Sequence, residues 1–239
     1  MSELFNNLGQ PIGAPLPEWH ARPLPARTVL TGHACHVEPL DPARHGSDLF
    51  KAYQADREGR LWTYMGYGPF ATQQDFMRWL ETAAAGSDPL FFAVVDNEDD
   101  AAKGVASYLR MEPAVGVIEV GHIHFSRSLQ GTTMATEAMY LMMAHVFDTL
   151  GYRRYEWKCD ALNEHSRKAA QRLGFTYEGL FRQATIYKGR NRDTAWYSII
   201  DGEWPALKRA YQAWLAPDNF DADGKQRKQL AVFIKDERD

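Results

Sequence analysis

The hydrophobic residues of this chain fall in short blocks whose period changes, and the period predicts the elements. Residues 117–125, VIEVGHIHF, are apolar and β-branched enough for a buried strand. Residues 126–130 make a polar, irregular connection. From about Gly131 the period turns helical, with Met134, Ala138, Leu141, Met142, Val146 and Leu150 on one face. Upstream, residues 28–40 read as a first strand. Asp41-Pro42 then supplies an N-cap and the residue favoured at the first helical position, opening a helix to about Asp56. Residues 60–70, RLWTYMGYGPF, are aromatic and interrupted by glycine, so they predict a loop or broken helix. Thr72 caps the next helix, which carries Phe76, Trp79, Leu80 and Ala83 on one face. Strands follow at residues 90–96 and 105–111 about the acidic turn 97–102, and residues 113–116 turn the chain into the strand at 117.

Beyond the central helix, residues 155–159 read as a strand and residues 163–173 as a helix, with Gly174 where a helix C-terminal glycine belongs. Residues 178–187 and 194–200 pair as strands about Lys188-Gly189-Arg190-Asn191. Pro205 opens a last helix through Leu215. Three stretches result. Residues 1–27 hold Pro11, Pro15, Pro17, Pro23 and Pro25, which exclude a helix or interior strand and predict an extended arm laid on the domain. Residues 28–215 form the domain. Residues 216–239 form a charged, loosely tied tail in which residues 230–234 have the apolarity to dock. Antiparallel strands first and a strand–helix–strand–helix centre after them predict an α+β fold and exclude a regular Rossmann alternation.

Composition narrows the classes. A net charge of −4 over 239 residues gives no electrostatic case for nucleic acid or an anionic membrane surface. No apolar run approaches the roughly 20 residues that cross a bilayer, and residues 1–10 carry Glu3 and no apolar core, unlike a signal peptide. Cys35 and Cys159 are far apart with no CxxC, as expected of reduced thiols in the cytoplasm. The eight histidines show no HxxxH or HExxH spacing, so no metal site is expected.

The candidate chemistry lies where the central strand meets its helix. A strand feeding a tight turn into a helix leaves backbone N–H groups without partners, and these donors together with the helix dipole favour a phosphate. Gly131, Thr132, Thr133 and Ala135 are small enough to admit a ligand close to the backbone. An ordinary strand–loop–helix unit with a threonine-rich cap reads equally well from this stretch alone.

Gln130-Gly131-Thr132-Thr133-Met134-Ala135, followed by Thr136-Glu137-Ala138, resembles the pyrophosphate-binding turn of the GNAT N-acetyltransferases, in the branch of the ribosomal-protein N-terminal acetyltransferases. Gln130 fills the first place of that turn and Ala135 the last, while Thr133 stands where a central glycine is expected. A second segment agrees. Asn163-Glu164-His165-Ser166, then Ala169-Ala170, Leu173-Gly174-Phe175 and Glu178-Gly179, resembles the Asn-x-x-Ser…Ala…Leu-Gly-Phe…Glu-Gly segment of the same branch. The likeness spans residues 28–215.

The resemblance implies a central twisted mixed β-sheet whose middle strands splay apart, flanked by helices, with acetyl-CoA as co-substrate in the cleft. It implies transfer of the acetyl group to a primary amine of a small molecule or a protein N-terminus, by a monomer or homodimer. Pantetheine is then expected along the strand edge at His124, Phe125 and Ser126, and pyrophosphate on the turn Gln130, Gly131, Thr132, Thr133, Met134 and Ala135. Asn163 either caps its helix or reaches pantetheine, and Ser166 is the implied proton donor to the CoA thiolate. Glu119 is the favoured base. Strict alternation sets Glu119 with Gly121 and Ile123, away from His122 and His124. A bulge would reverse that parity and leave either histidine in contention. Trp62, Tyr64, Tyr67 and Phe70 are candidates for an acceptor-pocket wall. The opposing class is a degenerate acyl-CoA-binding sensor or interaction module, for which Thr133 is the argument.

Overall fold

The computed structural model describes residues 4–238. The first three residues of the expected arm and Asp239 of the expected tail lie outside the described residues. The arm opens with a small hairpin, β1 (Leu4–Phe5) with β2 (Pro11–Ile12). It then lies along the domain: the Trp19 indole donates to the Ala114 carbonyl at 2.8 Å, and Tyr152 donates to the Pro23 carbonyl at 3.1 Å.

The main sheet has eight strands. In chain order they are β3 (Leu30–Thr31), β4 (Cys35–Pro39), β5 (Leu90–Asp96), β6 (Ala102–Glu112), β7 (Val117–Phe125), β8 (Arg154–Asp160), β9 (Thr176–Tyr187) and β10 (Arg190–Ile200). They lie side by side as β3-β4-β5-β6-β7-β8-β10-β9, antiparallel throughout except where β7 runs parallel to β8. Every residue of β5 is buried, because both faces of the sheet are covered there. Leu90, Phe92 and Val94 enter one core beside α3 (Thr133–Ala144) and α5 (Trp204–Leu215). Phe91, Ala93 and Val95 enter the other, beneath α1 (Pro42–Gln54) and α2 (Gln73–Ala85).

Two expectations are corrected. The single strand at 28–40 is a hairpin: the Gly32 amide donates back to the Cys35 carbonyl, separating β3 from β4. Its turn amides, at His33, Ala34 and Cys35, all donate to the carboxylate of Glu137 on α3, at 2.8, 2.7 and 3.1 Å. A Cβ on Gly32 would stand 2.6 Å from Glu137 Cδ, so only glycine lets the carboxylate in. The helix at Pro205 is also not the last. Leu230–Arg238 forms α6, whose Leu230 and Ile234 join the core against α5, and Arg238 donates to the Gly174 carbonyl at 2.9 Å. The apolar run 230–234, expected to be able to dock, does so through Leu230, Phe233 and Ile234 at three-four spacing, and the charged residues after it continue the helix.

Between β8 and β9, α4 (Glu164–Arg172) ends at Gly174, whose φ of 93° fits the left-handed conformation expected after a helix. Glu137, 2% exposed, is thus a bolt between α3 and the sheet edge rather than a surface acid. Glu137→Ala would remove three hydrogen bonds to a carboxylate, one of them from the buried Cys35 amide, each worth about 1.5–3 kcal/mol. We expect a loss of about 3 kcal/mol or more in urea unfolding; a loss below about 1 kcal/mol would show that other contacts hold the turn.

Candidate active site

The pairing of β7 with β8 runs from Val117 opposite Arg154 to Val120 opposite Trp157 and stops. Both strands continue, β7 to Phe125 and β8 to Asp160, but apart. Among the described residues no strand lies beside the β8-facing edge of β7 from Gly121 onward. The cleft leads to the Ser126–Thr132 connection, where Leu129 and Gln130 amides fold back onto the Ser126 carbonyl and the Gln130 side chain donates to the Phe125 carbonyl at 2.9 Å. Gln130 therefore braces the turn.

The helix start has the threonine cap that the stretch offered. Gly131 takes a φ of +74° with open space where a Cβ would stand, and Thr132 is the N-cap. The Thr132 hydroxyl accepts from the Ala135 amide at 3.1 Å and donates to the Leu129 carbonyl at 2.7 Å. Among the described residues the amides of Gly131, Thr133 and Met134 carry no hydrogen-bond partner, which makes a donor cluster suited to an anion. Thr133 is the first helical residue and is not among the positive-φ positions. Its conformation asks for no glycine, so the argument for a degenerate turn loses its footing.

On β7 the bulge is present. Val105 faces His124 and Ser107 faces Gly121, so one residue of β6 lies opposite two of β7, with His122 at φ +49°. Parity reverses accordingly. Ile123 and Phe125 pack on the α3 core with Ile118 and Val120. His122 stacks on Tyr67 and approaches Phe91, while His124 lies against Trp62 at 3.9 Å and Tyr53 at 4.3 Å between ring centres. Glu119 and both histidines thus share the face beneath α1 and α2. Burial pushes the His122 imidazolium down to about 4 and that of His124 to about 3. His124 Nε2 is buried without a partner, and the Tyr67 hydroxyl stands 3.2 Å from His122 Nδ1.

Glu119, 2% exposed, is held by two cations: Arg110 Nη1 at 2.7 and 2.8 Å, and Lys158 Nζ at 3.0 Å. Lys158 also contacts Glu156 at 2.7 Å and lies 3.8 Å above the Trp196 ring. These three contacts occupy most of the carboxylate's acceptor positions. Sequence reading missed this clamp, although the alternation Arg154, Glu156, Lys158, Asp160 along β8 marks one charged face.

Asn163 and Ser166 sit together at the start of α4. Asn163 Oδ1 accepts from the Ser166 amide at 3.1 Å, so it is the N-cap, and its Nδ2 donors are a separate resource. Ser166 Oγ accepts from Trp157 Nε1 at 3.0 Å. An indole only donates, so the serine's own proton is left to another acceptor, for which the neighbouring Cys159 sulfur is in reach. Cys159 lies beside Ser166, and burial pushes its thiol upward. Residues 60–70 lie across the cleft as an irregular segment with one short turn at Arg60–Trp62. The Tyr64 hydroxyl donates to the Leu162 carbonyl at 3.1 Å, and Lys188 and Arg190 donate to the carbonyls of Trp62 and Thr63, each at 2.8 Å. Trp62, 4% exposed, packs with Tyr67 and Phe70 and supports the face as much as it lines it.

Residues 37–176 match the family model described as Acetyltransferase (GNAT) domain. A crystal structure of a GCN5-related N-acetyltransferase from Brucella melitensis superposes with a TM-score of 0.90 at 48% identity, covering 92% of this chain and 100% of that one. The N-acetyltransferase p20 of Bacillus licheniformis is 26% identical over 161 residues, 66% of this chain and 89% of that protein. The ribosomal-protein-serine acetyltransferase of Escherichia coli (strain K12) is 31% identical over 107 residues, 44% of this chain and 59% of that protein. No helix of the described residues is long and apolar enough to cross a membrane, and no three of their His, Cys, Asp or Glu side chains are grouped to hold a metal.

The two buried histidines give a pH signature. Unfolded histidine titrates near 6.5, so between pH 6.5 and about 4 the unfolded chain binds protons that the folded chain refuses, and stability falls as pH falls. Each contributes a slope of about 1.4 kcal/mol per pH unit in that window. His124→Asn should flatten unfolding free energy against pH by about one such slope; identical slopes would assign the acid sensitivity to other groups.

Proposed function

Because the chain belongs to the GNAT acetyltransferase family, we propose that it moves the acetyl group of acetyl-CoA to a primary amine by direct attack in a ternary complex. The acceptor is a small molecule or a protein N-terminus, and the name of the Escherichia coli relative supports the latter. The observation that carries the donor assignment is the parting of β7 and β8 into a turn with three unpartnered amides, at Gly131, Thr133 and Met134. We assign the cytoplasm as the working compartment, which suits the two buried free thiols.

The residues divide the chemistry as follows. The β7 edge at His124, Phe125 and Ser126 and the Nδ2 of Asn163 hold pantetheine, and the unpartnered amides of Gly131, Thr133 and Met134 take the pyrophosphate. During transfer the amine gives up one proton and the CoA sulfur gains one, so a base and an acid are required. Ser166, whose hydroxyl proton the indole of Trp157 does not take, serves the sulfur. Glu119 receives the amine proton through water, at the acceptor position that Arg110 and Lys158 leave open. His122 is the second choice, because burial makes its imidazole a weak base.

Acetyl-CoA at a hundredfold excess over its dissociation constant should stabilise the fold by about 2.7 kcal/mol, visible as a higher Tm. A product screen over alkylamines, polyamines and peptides should find at least one acetylated acceptor. A Tm shift with no acetylated product from any acceptor would favour an acyl-CoA sensor. Glu119→Gln and Ser166→Ala should each lower kcat by about 10²–10⁴-fold while CoA affinity changes little. Full kcat in Ser166→Ala would return that serine to its place beside the helix cap.

A further inference from the structure

Asp160 ends β8, past the point where β8 leaves β7, and is 5% exposed. By alternation it shares the face of Glu156 and Lys158, opposite Tyr155, Trp157 and Cys159 in the core. The other buried carboxylates of that face are matched to cations. Glu119 has Arg110 and Lys158; Glu156 has Lys158 and Arg154. No Lys, Arg or His among the described residues forms a salt bridge with Asp160. Its oxygens accept only from neutral donors: Oδ1 from the Leu162 amide and Oδ2 from the Tyr187 hydroxyl, each at 2.8 Å. Burial and this bond push the Tyr187 phenol up to about 12, so it stays a donor. The arginines around this turn are engaged elsewhere, Arg167 donating to the Ala161 carbonyl at 3.4 Å and to the Tyr197 hydroxyl at 3.3 Å. Arg190 and Arg192 lie 5.4 and 5.9 Å from the Tyr187 ring centre, Arg190 donating to the Thr63 carbonyl and Arg192 to Thr194 Oγ1.

A carboxylate offers about four acceptor positions, and two neutral donors leave two of them open. A buried charge without a counter-ion is costly, and the group that relieves it is a cation bearing N–H donors. The position suits such a visitor. The Asn163 amide donates to the Asp160 carbonyl at 2.9 Å, so the carboxylate adjoins the turn that presents Asn163 and Ser166. Cys159, beside Ser166, points to the opposite face of β8, so an amine on Asp160 comes from the side away from the hydroxyl that serves the leaving sulfur.

We propose that Asp160, oriented by Tyr187, is an acceptor-binding residue that holds an alkylammonium group before transfer, and that the acceptors are therefore aliphatic amines that arrive charged and release one proton to solvent before they attack, rather than arylamines. The proposal rests on the amine-acetyltransferase reading but is tested by binding, independently of turnover. Calorimetric titration of the CoA-loaded protein would use three cationic probes, cadaverine, phenethylamine and a serine-initiated dipeptide amide, and the uncharged arylamine 4-ethylaniline. At least one cation should bind more tightly than the arylamine. Asp160→Asn should weaken that cation at least tenfold, Tyr187→Phe should weaken it severalfold, and CoA affinity and 4-ethylaniline binding should hold. Should Asp160→Asn fail to fold, Tyr187→Phe carries the same comparison. Absence of cation binding to the wild type, or equal affinity in the variants, overturns the proposal. Cations that bind through Asp160 but are never acetylated would sustain this site and refute the transfer reading. Acetylation indifferent to both substitutions would do the reverse.

Discussion

The pairing of β7 with β8 lasts four residue pairs, and the rest of the site depends on that brevity. A parallel pair that continued would satisfy its own backbone groups and close the sheet. Here β7 keeps its antiparallel partner β6 on one side and leaves its other edge bare for several residues. Bare backbone in a covered sheet is costly unless something binds it. The fold tolerates the opening because both faces around it are heavily packed. The α3 core lies on one side and the Trp62, Tyr67, Phe70 and Trp79 cluster on the other.

Charge organises the floor of the cleft in the same manner. Arg110, Glu119, Lys158, Glu156 and Arg154 alternate in sign across three adjacent strands, each anion touching two cations. Such a lattice fixes side chains that would otherwise be mobile, and it holds Glu119 in position at the expense of its freedom to accept a proton. Where the lattice stops, at Asp160, the electrostatics of the cleft change from closed to open.

Much of this was legible from residue order. The limits of β5 and β7, the caps Asp41, Thr72 and Asn163, and the turn glycine Gly174 follow from local rules, and the structure reproduces them. Both GNAT-like segments open helices, α3 capped by Thr132 and α4 capped by Asn163. The remainder was hidden for physical reasons. The break between β3 and β4 depends on a carboxylate about a hundred residues away, and no local window contains it. Docking by residues 230–234 was legible, but the helix was masked because their apolar run is five residues long and gives way to charges. Thr133 reads as a defect against a motif, and only the backbone angles reveal that the glycine requirement had moved to Gly131. The lattice on β8 was visible as alternation, but its partners Arg110 and Glu119 come from other strands.

The extra residue in β7 also sets how this strand can change over evolution. Side chains at 122 can be exchanged, since the left-handed turn there is a local strain that asparagine or glycine would bear more easily than histidine. The bulge is what lets the two halves of the strand keep their faces around the extra residue: removing that residue would restore plain alternation and still leave Ile123 and Phe125 on the α3 core and His124 on the aromatic cluster. Removing a residue from a regular stretch of the strand would instead turn over the side chains beyond it. Codon deletions a few positions apart would therefore have opposite standing in the gene, the first straightening the strand and the second turning part of the cleft inside out.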